Sequence, residues 1–215
     1  MVPALRDPRP IGADAVLPAR RTRVASLRSR VRLAWLRARS PGRLVCARDV
    51  WVSRRARVDV APGARVWLGA GCELGAGSRI EAAAGEVRVG ERVRVGERAT
   101  VAAVRRVELA PDAVVGDWTL VVDADPGFAD VERPAREQPL RPVPVRIGAG
   151  ARVAAHATVL AGAQVGDGAV VGSYALVSGP VAEGAVVTGV PARALAGAAR
   201  ERQTQPRARR RQPGA

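Results

Sequence analysis

Residues 147–182 read IGAGAR VAAHAT VLAGAQ VGDGAV VGSYAL VSGPVA, six units of six residues led by Ile147, Val153, Val159, Val165, Val171 and Val177. Two positions before five of these leaders stand small residues: Ala151, Ala157, Ala163, Ala169 and Ala175. Residues two apart on a strand point to the same face. Each unit therefore sends one branched and one small side chain to a common side, then turns at Gly, Asp or Ala. A helix would need a period of 3.6 and would reject this density of glycine.

The same pattern runs upstream. LGAGCE LGAGSR IEAAAG begins at 68, and further units are led by Val89, Val95, Val101, Leu109, Val115 and Val121. Cys72, Ser78, Val87, Val93, Ala99, Ala113 and Thr119 hold the second inward slot. Short strands repeating every six residues predict an all-β chain, a parallel β-helix with a narrow aliphatic interior and about eighteen residues per three-sided coil. A column of this kind builds a core from a chain with six aromatic residues among 215. The first coil, around Val52, Val60 and Leu68, has leaders eight apart, and small insertions fall near 82–85 and 102–106.

One interruption is larger. VVDADPGFADVERPAREQPL, residues 121–140, breaks the repeat, which resumes at Ile147. About twenty residues, rich in proline, must loop out from one corner, and long loops on a rigid scaffold are where binding residues concentrate.

The formal charge of +15 belongs to the ends of the chain. Residues 1–57 carry fifteen Arg and three acids, residues 198–215 six Arg and one Glu, and residues 58–197 fourteen Arg and sixteen acids. The near-neutral centre does not favour nucleic acid as the main partner. The chain has neither Lys nor Asn, a compositional bias that removes functional weight from the choice of Arg.

Three regions follow: a basic N-terminal segment, 1–45; the β-helix, 46–197, with a protruding loop near 127–146; and a basic tail, 198–215, expected to be disordered. In 20–39, Val24, Leu27, Val31 and Trp35 share one face of an amphipathic α-helix ringed by Arg. Such a helix can cap the open end of the coil or make peripheral contact with an anionic membrane. Cys46 and Cys72 stand alone, with no metal-ligand spacing, which points to a reducing, cytoplasmic setting and to no metal site. No secretory signal and no membrane span are expected.

Residues 145–195, ending GVPARAL, resemble the closing coils of hexapeptide-repeat acyltransferases, the left-handed β-helix enzymes of the galactoside, maltose and serine acetyltransferase kind. The terminal Gly-x-Pro-Ala-Lys/Arg signature is the sharpest part, and the resemblance spans roughly 50–197. It implies a homotrimer, acetyl-CoA or another acyl-CoA as donor lying along the coils between subunits, and a carbohydrate or other small hydroxyl compound as acceptor. It also implies a histidine beside the loop as general base. Members often read Asp-x-Asp-His there; this chain reads Asp123-Ala124-Asp125-Pro126, and proline can neither take a proton nor donate one through its backbone. His156 is the sole histidine. It is the first candidate for the base, reaching the vacant place from a neighbouring subunit, with Asp125 and Asp123 as alternatives. On the CoA side the resemblance assigns Ala155, Ser173, Ser178 and Arg193, while Gly179 lacks the family's cation and Tyr174 is bulky where glycine is usual.

The sequence thus points to an acyl-CoA-dependent O-acyltransferase acting on a sugar or polysaccharide precursor. Two alternatives stand beside it: a non-catalytic member of the same fold serving as scaffold or partner subunit, and binding of anionic membrane or nucleic acid through the Arg-rich ends.

Overall fold

Each strand of the repeat pairs in parallel with the strand one coil above it rather than with its neighbour in sequence. This is the arrangement that period six predicts. A computed structural model describes residues 27–195 apart from 48, 127–131, 133, 135 and 136. Its strands, β1–β23, follow one helix, α1 (Leu27–Arg39). The first coil consists of β1 (Leu44–Cys46), β2 (Trp51–Val52) and β3 (Arg57–Val60), which open sheets A, B and C of seven, eight and six strands. Val24 and the tail 198–215 lie outside the described residues.

The interior is the predicted aliphatic column. All the leaders from Leu68 to Val177 are 3% exposed or less, and the small second-slot residues from Cys72 to Ala175 are 1% exposed or less. Two hydroxyls inside it are satisfied locally: Ser78 Oγ donates to Gly75 O at 2.9 Å and Thr119 Oγ1 to Ala154 O at 3.1 Å. The first coil departs from expectation in one detail. Its leader in sheet C is Val58, six residues after Val52, and Val60 is only half-buried.

Coil length varies at one corner alone. From sheet A to B, and from B to C, successive leaders are always six apart, as in Leu109–Val115–Val121 and Ile147–Val153–Val159. From C back to A the steps are Val58 to Leu68, Ile80 to Val89, Val101 to Leu109, Val121 to Ile147, Val159 to Val165 and Val177 to Val181. The two short insertions and the long interruption therefore stack on the same C–A corner. There the long segment begins as a two-stranded antiparallel ribbon, β13 (Ala124–Pro126) against β14 (Leu140–Pro142), with Asp125 opposite Arg141.

Asp123 anchors that ribbon. It is 1% exposed, and its carboxylate accepts backbone N–H bonds from Val104, Arg105 and Arg106 at 2.7, 2.8 and 2.6 Å. The aspartate thus ties the base of the arm to the insertion in the coil below.

Both ends of the column are covered, because an open strand edge invites further pairing. At the start, α1 lies over the free edge of the first coil. Leu33, Leu36 and Ser29 are its buried residues among those described, and Ser40, which follows it, is buried too. Ser29 Oγ donates to Val50 O at 3.2 Å and accepts from Val52 N at 2.8 Å. Arg32 donates to Ala56 O at 2.5 Å, Arg43 to Val60 O at 3.1 Å, and Arg37 to Cys46 O. The side turned to the coil is not the one marked by periodicity: Val31 and Trp35 are 63% and 52% exposed. The open edge offers polar groups, and serine and arginine meet them better than an apolar stripe would. At the far end β22 (Val186–Thr188) is covered by β23 (Arg193–Ala194), which returns antiparallel and begins at Arg193, the last residue of the terminal signature.

Two outcomes follow. Replacing Asp123 by Ala strands three backbone donors, and thermal or denaturant unfolding should show a loss of about 3 kcal/mol. Burial pushes the Cys72 thiol up to about 12 from 9.0. The folded state therefore favours the protonated thiol, and this contribution to stability is present below pH 9 and lost as pH rises toward 12. Cys72→Ala, the residue found at this slot in other coils, should fall less steeply over that range when unfolding is measured against pH.

Candidate active-site corner

From the second coil on, the turn between sheets B and C uses a left-handed residue three positions before the sheet-C leader. Glycine fills this place at Gly77 (φ 70°), but the next four coils place Arg98 (53°), Trp118 (58°), His156 (61°) and Tyr174 (59°) there. Left-handed backbone costs a non-glycine residue roughly 1–2 kcal/mol. Each is held by a backbone bond to the coil below: Arg98 N to Ala76 O, Trp118 N to Glu97 O, His156 N to Asp117 O and Tyr174 N to Ala155 O, between 2.8 and 3.3 Å.

Because the coils rise by one strand spacing, side chains at one slot must stack. The His156 ring lies 4.8 Å from Tyr174 at an interplanar angle of 3° and 6.0 Å from Trp118 at 8°. Below them the Arg98 guanidinium sits 4.5 Å from the Trp118 ring centroid. Stacked pairs contribute about 0.5–1.5 kcal/mol each beyond area burial, which offsets the backbone strain. The imidazole is clamped by its two faces, its edge is turned outward, and no described residue hydrogen-bonds its nitrogens. Trp118 and Tyr174 remain 51% and 68% exposed, so the column is a ridge on the surface.

The residues expected to act divide between two corners. Ala155 and Ser173 precede His156 and Tyr174 in the same turns, so Ala155, His156 and Ser173 share the B–C corner. Arg193 lies at the upper end of this corner. It pairs with Thr188, whose Oγ1 would be 2.8 Å from a Cβ on Gly172, so a larger residue there would displace the Thr188 side chain. Arg193 is exposed, bonds only the Ala192 carbonyl at 3.4 Å and has no acidic partner among the described residues, leaving its guanidinium able to meet a phosphate. Ser178, Asp123 and Asp125 lie across sheet C at the C–A corner. Asp125 is half-buried on the ribbon, whereas Asp123 is spent on three backbone donors, an arrangement that suits an anchor and not a base. Pro126 occupies β13 opposite Leu140.

Within one chain, then, the outward face of sheet C separates His156 from Asp125 and Pro126. Trp118 and Arg98 join the site though sequence reasoning passed them over. The signal was present: 98, 118, 156 and 174 are all three before a leader, but the twenty-residue arm between 118 and 156 hides the vertical alignment.

No family model and no curated protein matches the sequence. Solved structures do. AntD, an N-acyltransferase from Bacillus cereus in complex with dTDP and 3-hydroxybutyryl-CoA, is 16% identical with a TM-score of 0.65, over 78% of this chain and 87% of that chain. A variant of AntD in complex with dTDP-4-amino-4,6-dideoxyglucose and coenzyme A is 19% identical, with a TM-score of 0.64 over 78% and 88% of the two chains. At this identity the likeness is one of fold: the chain has the parallel β-helix architecture that this N-acyltransferase is built on.

Proposed function

We propose that the chain is an acyl-CoA-dependent acyltransferase that modifies a carbohydrate hydroxyl, with His156 as general base. The observation that carries this reading is the placement of the chain's sole imidazole. It is fixed between two aromatic rings on an exposed corner, next to Ser173 and below a phosphate-competent Arg193. A hydroxyl is a weak nucleophile at neutral pH, and a positioned base contributes about 10²–10⁴-fold. In the proposed step the imidazole takes the acceptor proton as the oxygen attacks the thioester carbonyl. The C–S bond then breaks, and the imidazolium returns the proton to the departing thiolate. Ala155, Ser173 and Ser178 offer small or hydroxyl-bearing surface along the donor's path.

The reading includes self-association, with homotrimer as the expected form. His156 and the arm lie on opposite edges of sheet C, so an acceptor held by the arm of one subunit would meet the imidazole of the next. Asp125, at the root of the arm, is then suited to hold an acceptor hydroxyl.

A second reading, transfer to a sugar amine, is favoured by two observations: AntD is an N-acyltransferase crystallised with an amino sugar nucleotide, and position 126 is proline. An unprotonated amine attacks a thioester with less need of a base.

The test is thiol release from acetyl-CoA with a panel of hydroxyl and amino sugars, free and nucleotide-linked. An ester product labile to hydroxylamine, and a loss of about 10²–10⁴-fold in His156→Ala with a cooperative unfolding transition retained, are expected. An amide product would establish the second reading. No turnover with any acceptor while acetyl-CoA still bound would point to a non-catalytic scaffold.

A further inference from the structure

Helix α1 has two apolar sides, and the coil uses one. Leu33 and Leu36, with Ser29 and Ser40, face the column. On the opposite side, at helical spacing, come Val31, Ala34, Trp35 and Ala38; Val31 and Trp35 are 63% and 52% exposed, and both alanines are exposed. A helix that already packs through one face gains nothing in water from a second apolar stripe, and exposing tryptophan there has a cost.

The charge around this stripe is of one sign. No acidic residue lies between Asp14 and Asp49, whereas that interval holds ten arginines. Arg30 and Arg37 flank the stripe on one side, Arg32 and Arg39 on the other. The guanidinium groups of Arg32 and Arg39 sit 5.9 and 5.4 Å from the Trp35 ring centroid. Arg32 and Arg37 reach back to carbonyls of the first coil, which fixes the helix against the column with its stripe turned away. The near-neutral β-helix behind it adds no comparable field.

We propose that this outward face docks on an anionic lipid surface, Val31 and Trp35 entering the headgroup boundary and the flanking Arg30 and Arg39 meeting lipid phosphates. The combination of an apolar stripe with cationic rails is what an interfacial helix requires. The column would then stand on its N-terminal end, placing the His156 corner several coils above the bilayer. This inference is independent of the acyl-transfer reading.

The experiment uses the full chain in flotation with vesicles of phosphatidylcholine alone or of phosphatidylcholine with phosphatidylglycerol. Binding is expected to the anionic vesicles and to weaken as salt is raised. Replacing both Val31 and Trp35 by Ser leaves the charge unchanged and should lower partitioning roughly tenfold or more, with the circular dichroism spectrum and unfolding midpoint retained. Arg30→Gln with Arg39→Gln should lower it by roughly fivefold per arginine. Equal partitioning of the serine variant, or no binding by the unaltered chain, would overturn the proposal. So would a serine variant whose only change is its oligomeric state, since the stripe would then be covered by a second copy.

Discussion

The inward side chains of stacked coils must lie one above another. Val95, Val115 and Val153 can pack only if each coil returns to the same phase at the same height. A strand shifted by one residue would turn its valine to water and its charged neighbour inward. Two corners meet this demand by holding every step at six residues. The third leaves sheet C after its leader has been buried and rejoins sheet A before the next, so residues added there feed nothing into the core. The protruding arm, its buried anchor Asp123 and the two shorter insertions below it all occupy that corner.

The same register builds the candidate site. Once the B–C turn requires a left-handed residue at a fixed phase, whatever occupies that slot is stacked on its counterparts above and below. Trp118, His156 and Tyr174 are far apart in sequence yet become successive rungs. The A–B corner follows the same rule with different chemistry: left-handed Arg92 and Asp112 meet in a two-pronged ion pair at 2.7 Å, in which the guanidinium hydrogen bond holds the aspartate below its usual carboxylate range. Vertical neighbours, as well as sequence neighbours, define the surface chemistry of this molecule. Sheet A's outer face shows it again: Arg106 pairs with Glu86 and Arg146 with Glu108 from coil to coil, and Arg146 also reaches Asp167 in the turn after β18.

Much of the fold was legible because hydrophobic period, inward slot size and turn residues all agree. Ile147, Val153 and Val159 announce their positions without any knowledge of their partners. What remained hidden depends on distance across the chain. Asp123 looks like a catalytic aspartate in the sequence, and only the backbone N–H groups of 104–106 reveal it as an anchor. The helix illustrates the opposite case. Periodicity found the stripe of Val31 and Trp35 but not the direction it faces, because the polar edge of β2 recruits Ser29 and turns the helix over. His156 was visible as the lone imidazole; its clamp was not, since the arm disrupts the spacing that would align it with Trp118.

Register at the two six-residue corners is the claim from which core, arm and stacked ridge all derive, and single-residue insertion tests it most directly. One alanine would be placed between Asp117 and Trp118 in the B–C turn and, separately, between Ala129 and Asp130 in the arm, with thermal unfolding followed by circular dichroism. The account predicts loss of a cooperative transition for the first and a midpoint within about 2 °C of the parent for the second. Similar unfolding curves for the two insertions would contradict it.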